Sequence, residues 1–305
     1  MNDFMNTELS PLERAEALAD KLTTQQQAEQ LTYDAPPIPA AGLPAYNWWN
    51  EGLHGVAREG TATVFPQAIA LAAAFDRDII RRVGRAIAVE ARAKYNASQR
   101  HGDFDIYKGL TLWTPNINIF RDPRWGRGHE TYGECPYLTA ELGVEMVKGL
   151  QGDGKYLMTA ACAKHFAVHS GPESVRHEFD AEVSPKDLEE TYLPAFKALV
   201  TRAHVEGVMG AYNRVNGEPA CASEMLFKKL KEWGFDGYFV SDCWAIQDFH
   251  EHHMITATAP ESAAMAIKAG CDVNCGSTYL HLLSPLNQEL ISPYVIRNAC
   301  GPALR

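Results

Sequence analysis

The stretch GYFVSDCWA, residues 237–245, climbs through apolar side chains and then presents the carboxylate of Asp242, with Trp244 close behind. A buried strand that delivers one carboxylate to its carboxyl end can offer a nucleophile at the mouth of an α/β fold. The same pattern also suits a helix cap or a surface turn. A nucleophilic carboxylate would need a second group to handle a proton. Other apolar runs end the same way: LTLWTPNINIF on Asn116 and Asn118, AKHFAVHS on Lys164 and His165, GAYNRVNG on Tyr212 and Asn213, and CDVNCG on Asn274.

The elements that would position these groups follow from the sequence pattern. From about residue 63, short apolar runs alternate with amphipathic helical stretches such as RDIIRRVGRAIAVEARAKYN and SPKDLEETYLPAFKALVTR. Strands alternating with helices imply parallel pairing. No Gly-rich phosphate fingerprint favours a dinucleotide fold. Polar groups gathered from several strand ends point instead to the top face of a (β/α)8 barrel. We therefore expect an α/β, TIM-barrel-like single domain over residues 1–305. At the start, Ser10, Pro11 and Glu13 predict a capped helix.

Composition narrows the function classes. The 305 residues carry a net charge of -10, with 38 acidic against 28 basic side chains. That balance argues against nucleic acid and anionic membrane as partners. No apolar run is long enough to span a bilayer, and no signal peptide is visible at the start. The seven Cys lack zinc or thioredoxin spacing, so we expect unpaired thiols, no metal or cofactor, and a reducing cytoplasmic setting.

Taken together and in order, WWNEGLHGVAR, TPNINIFRDPRWGRGHETYGE, AKHFAVHSG, GAYNRVNG and FVSDCWA resemble glycoside hydrolase family 3, from about Tyr46 to Gly276. The subgroup they resemble is that of the bacterial and plant β-xylosidases and related β-glucosidases. The resemblance implies a retaining exo-β-glycosidase acting on small oligosaccharides or aryl glycosides, with Asp242 as nucleophile. It implies that Arg127, Lys164, His165, Arg176 and Tyr212 bind sugar, and that nearby Lys164, Arg127 and Arg176 depress the Asp242 pKa. Trp244 could offer the ring an apolar face, although relatives place their aromatic directly after the nucleophile, where Cys243 stands. Glu51 occupies a position where the glucosidase branch usually has the shorter Asp, which implies a preference for xylosides.

Each position also has a structural reading: Asp242 as a cap, Lys164–His165 as a salt-bridged pair, and Tyr212 as a core aromatic. Likewise, Arg127 could anchor a loop through Glu130 or Glu134, and Trp48–Trp49 could serve packing. Cys135 replaces the Asp usual in YGECPYL, so a capping carboxylate is lost. The family's α/β sandwich domain, which brings the acid/base Glu, is expected to be missing after ISPYVIRNACGPALR. Its place would then be taken by a homo-oligomer partner or a separate domain, or the enzyme would be impaired. Single-domain β-N-acetylhexosaminidases of the family use a loop His instead, and His177, with Asp180 three residues on, is the local candidate. A sugar-binding barrel without turnover is the remaining alternative.

Overall fold

Apolar segments that neighbours cover on both faces become parallel strands. The computed structural model describes residues 3–305. Its strands are β1 (Asp34–Ala35), β2 (Tyr46–Asn47), β3 (Thr111–Leu112), β4 (Ala160–Phe166), β5 (Asp180–Ala181), β6 (Gly207–Gly210), β7 (Arg214–Val215), β8 (Glu218–Pro219) and β9 (Tyr238–Ser241). The central sheet is four-stranded and parallel in the order β3-β4-β6-β9. Every residue of β6 and β9 is buried. Isolated parallel bridges continue the pairing beyond both edges: Asn50 with Leu112, Val240 with Val273, and Thr32 with Asn274.

The strand–helix alternation expected after residue 63 is present, and the fold is α/β on a parallel sheet. The pairing is not parallel throughout. β1 and β2 are antiparallel, because the link between them holds only the 3-10 turn Pro39–Ala41. That link is too short for the helical crossover a parallel pair requires. β5, β7 and β8 form a separate three-stranded sheet in the loops that follow β4 and β6.

The helix Arg77–Arg100 starts at Asp76, whose carboxylate accepts from the backbone N–H groups of Asp78 and Ile79. It packs on the helix Pro136–Gln151, and Gly84 allows the approach: a Cβ there would stand 2.8 Å from the Met146 carbonyl. Cys135 still caps the second helix, its Sγ accepting from Leu138 N–H at 3.5 Å, a longer and softer contact than a carboxylate would make. The Ser10–Glu13 capping box forms as predicted. The helix it opens, Pro11–Ala19, lies against Pro293–Leu304 from the other end of the chain.

Among the cysteines, Cys135, Cys162, Cys221, Cys271 and Cys300 are free, as expected. Cys243 and Cys275 are not: they form a disulfide. The reason lies in the sheet, since Val240 bridges Val273 and the two chains leave their strands side by side.

Candidate active site

β9 carries Asp242 just past its last residue. The Asp242 N–H donates to the Gly210 carbonyl at 3.0 Å, so the strand register sets its position. Its Oδ1 accepts from the Cys243 N–H at 2.8 Å. Its Oδ2 has no hydrogen-bond partner in the protein and lies 3.5 Å from His165 Nε2. The expectation of a depressed pKa is corrected: burial pushes the Asp242 carboxyl above its ordinary value. Arg127, Lys164, the Cys243 N–H and the Tyr212 hydroxyl oppose that shift without cancelling it. The sequence could show the cations but not the depth of burial.

The end of β4 supplies Lys164 and His165, both buried. Lys164 Nζ lies 3.7 Å from Glu51 Oε2, and Glu51 Oε1 accepts from the Trp49 indole N–H at 3.1 Å. Asn118 fixes His165. Its amide nitrogen donates to the His165 carbonyl at 2.8 Å, which turns its oxygen toward the ring Nδ1 at 2.9 Å. Nδ1 must then be the protonated nitrogen, and Nε2 accepts from Arg127 Nη1 at 3.0 Å. Burial first, and then the Arg127 charge, hold the His165 pKa well below normal. The 3.5 Å approach to Asp242 is therefore a neutral imidazole beside a carboxylate. It is not an ion pair.

Arg127 forks onto Glu130 with two hydrogen bonds of 2.9 and 2.8 Å. Burial disfavours the arginine charge, but that pairing and Asp242 hold its pKa above the usual range. Burial also pushes Glu130 up, and Arg127 more than reverses it, leaving the carboxyl below its ordinary value. Glu130 is thus the partner of Arg127 that the spacing predicts, and it is held ionised.

Tyr212 is buried, its pKa raised by burial and then by the Asp242 charge. It links the rim to the floor. The Arg176 guanidinium lies over its ring at 5.7 Å while ion-pairing with Glu173, and the His177 ring meets it edge-on at 4.6 Å. Arg176 therefore reaches the site through Tyr212 and is not itself a neighbour of the carboxylate in the hydrogen bonding. His177 Nδ1 is 2.9 Å from Asp248 Oδ2. Its partner is not Asp180, which instead accepts from the Gly217 N–H. Asp248 is buried, and burial raises its pKa to about 6 against the pull of His177. No sequence signal marks Asp248, which opens the short helix Asp248–Glu251, 71 residues from its partner.

Trp244 is 43% exposed and takes a left-handed backbone with φ of 63°. Gly276 makes room for it, since a Cβ there would stand 3.2 Å from Trp244 N. Its ring meets Trp49 edge-on at 6.0 Å, and Trp49 stacks on Trp113 at 5.8 Å. Trp48, by contrast, is buried and packs on Tyr238. The structure thus gathers Lys164, His165, Tyr212 and Asp242 from the ends of β4, β6 and β9 with Glu51 and Arg127 from adjoining loops, and places Arg176, His177 and Trp244 at the margin. A cleft of about 630 Å³ opens beside them, bounded by Glu51, Arg127, Glu130 and the loop containing His54, Arg58 and Thr61.

Comparison with known proteins bears on this arrangement. A xylan 1,4-β-xylosidase from Xylanibacter ruminicola is 43% identical over 96% of this chain and 36% of its own length. Probable β-D-xylosidase 7 of Arabidopsis thaliana is 42% identical over 95% of this chain and 40% of its own length. The chain thus spans well under half of these curated relatives. Among solved structures, the GH3 exo-β-xylosidase XlnD, in complex with a xylobiose aziridine activity-based probe, superposes with a TM-score of 0.92. It is 32% identical over all of this chain and 41% of its own. A β-glucosidase from Erythrobacter marinus reaches a TM-score of 0.86 at 30% identity, covering 99% of this chain and 46% of its own. Residues 12–290 match the model of the glycosyl hydrolase family 3 N-terminal domain, and the chain belongs to that family.

Proposed function

We propose that this chain forms the nucleophile-bearing part of a retaining exo-β-glycosidase that removes terminal β-D-xylosyl residues, with β-D-glucosyl residues the second reading. The observation that carries it is Asp242, buried at the end of β9 with Oδ2 unpartnered and Arg127 and Lys164 acting on its charge. In a retaining mechanism such an oxygen attacks the anomeric carbon while the leaving oxygen takes a proton. A glycosyl–Asp242 ester forms, and water then cleaves it. Arg127, Lys164, His165 and Tyr212 would grip sugar hydroxyls, Arg176 would steady Tyr212, and Trp244 would cover one face of the ring. The similarity to enzymes named as β-xylosidases supports the reading. So does Glu51, whose carboxylate is held by Lys164 and Trp49 where a longer side chain crowds the hydroxymethyl that distinguishes glucose from xylose.

The other carboxylates named around Asp242 are each committed elsewhere: Glu130 is held ionised by Arg127, Glu51 is engaged by Lys164 and Trp49, and Asp248, though raised to about 6, is turned onto His177. We place the donor on a further domain or a partner chain. His177, oriented by Asp248, is the local alternative. We also read the pairings that run from Thr32 round to Asn274 as a (β/α)8-type barrel with a degenerate start. For the cell, the Cys243–Cys275 bridge favours an oxidising compartment over the cytoplasm.

The test is a 2,4-dinitrophenyl 2-deoxy-2-fluoro-β-xyloside, whose leaving group departs without protonation. Peptide mapping should find the label on Asp242. A label on another carboxylate, or unchanged turnover in Asp242→Asn, sinks the assignment.

A further inference from the structure

The peptide that carries Asp242 is laced to a second segment, residues 273–276. Ser241 N–H donates to the Val273 carbonyl at 2.9 Å. Ser241 Oγ accepts from Asn274 Nδ2 and from Cys275 N–H, both at 3.1 Å. Trp244 N–H donates to the Cys275 carbonyl at 2.6 Å, and Gly276 packs under Trp244. At the centre of this lacing sits the Cys243–Cys275 disulfide, with Cys243 8% and Cys275 0% exposed. Two features make it more than a staple. The N–H on which Asp242 Oδ1 rests belongs to Cys243 itself. The excursion of 32 residues that the bridge closes also contains Asp248, the partner of His177.

We propose that the Cys243–Cys275 bridge is a positioning pair for the nucleophile. It fixes the peptide N–H under Asp242 and the left-handed turn at Trp244, so that attack on the anomeric carbon depends on whether the bridge is closed. The inference rests on Asp242 being the nucleophile. Opening the bridge with a dithiol transfers two electrons and two protons to the S–S bond. Two thiols form, and the dithiol leaves as its cyclic disulfide. The freed Cys243 peptide can then rotate away from Asp242. Displacement of a reacting group by about 1 Å can cost about 10²-fold in rate.

The experiment uses the double variant Cys243→Ser/Cys275→Ser, with Cys135→Ser as the control. Labelling by the dinitrophenyl 2-deoxy-2-fluoro-β-xyloside at saturation should slow by about tenfold or more. Xylose binding should change by less than about threefold, and the control should behave as wild type. A folded double variant labelled within about twofold of the wild-type rate overturns the proposal. Should the variant fail to fold, the wild type is reduced with dithiothreitol under native conditions and the open fraction is read by alkylation and mass. The labelling rate should fall in step with the open fraction and return on reoxidation; a rate indifferent to it overturns the proposal. If the wild type is labelled by neither the xyloside nor the glucoside probe, it is the functional reading that has failed. The ¹³C titration of the Asp242 carboxyl then still reads the bridge: its midpoint should rise by about half a pH unit or more on opening, and an unmoved midpoint overturns the proposal.

Discussion

Glu51→Asp is the substitution that most directly tests sugar choice. Shortening the side chain by one methylene draws the carboxylate back by about 1.5 Å. Oε1 then loses the Trp49 indole, now at 3.1 Å, and the distance to Lys164 Nζ grows from 3.7 Å to about 5 Å. With an effective dielectric of about 20, the attraction between those charges falls from about 4.5 to about 3 kcal/mol. Lys164 is buried and will be less well placed, which should slow both sugars alike. The freed space acts on one sugar only. A pocket difference of one methylene is worth about 1–3 kcal/mol, or about 10–200-fold, in favour of the sugar bearing a hydroxymethyl. The assay compares kcat/KM for the dinitrophenyl β-glucoside and β-xyloside. Their ratio should rise by about tenfold or more in Glu51→Asp. Glu51→Gln keeps the length and removes the charge, so it should slow both sugars and leave the ratio unchanged. A wild type that already prefers glucosides, or a ratio that moves equally in both variants, refutes the reasoning.

As the proposed nucleophile, Asp242 would have to be ionised, and burial raises its pKa, so kcat/KM should climb with pH through a midpoint above 3.8. Arg127→Met removes a charge that holds this pKa down and should shift the midpoint further up; an unmoved midpoint counts against the site as drawn. Asp272 is partly buried, and loss of water around its carboxyl pushes it up to about 8, with Oδ2 accepting from Phe239 N–H at 2.8 Å. A carboxyl whose folded pKa is raised stabilises the fold fully below the unfolded pKa and loses that contribution as pH rises through the folded one. Calorimetry should accordingly show wild-type stability falling between pH 4 and 8, and Asp272→Asn should flatten that fall. His177→Ala should leave the ratio of xylobiose to dinitrophenyl xyloside turnover unchanged. A selective loss of about 10²–10⁴-fold on xylobiose would instead make His177 the acid. Gly207→Ala would drive a Cβ into the Tyr238 ring and should cost about 1–3 kcal/mol in denaturant unfolding.

What the sequence revealed was local in origin. Asp242, Lys164 and His165 were legible because each closes an apolar run, and a buried strand ends where its polar residue begins. Arg127 and Glu130 were legible because three residues separate them on a short turn. What escaped was set by distance along the chain. His177 has Asp180 three residues on, yet it bonds Asp248, 71 residues away. Cys243 and Cys275 had no spacing to announce them, because only the register of Val240 on Val273 brings them together. The pKa of Asp242 escaped for a different reason: charges are visible in a sequence, but the loss of water around a carboxylate is not. The antiparallel β1–β2 pair was hidden in a link whose length mattered more than its composition.

The bridge between Thr32 and Asn274 joins segments from near the two ends of the chain, and Asn274 N–H donates to the Leu31 carbonyl at 2.8 Å. The same segment borders Ser241, so the wall behind Asp242 cannot be finished until residues 273–276 have been synthesised and have met residues 31–33. Contacts so remote along the chain close late, because the entropy of the intervening loop must be surrendered first. The sheet of β4 and β6 can form while the carboxylate is still loosely held. Pulse-labelled hydrogen exchange should therefore find the amides of Ser241 and Asn274 protected together and after those of β4. Assembly of the proposed reactive centre would in this sense be a terminal event of folding, although Asp242 is made well before the last helix.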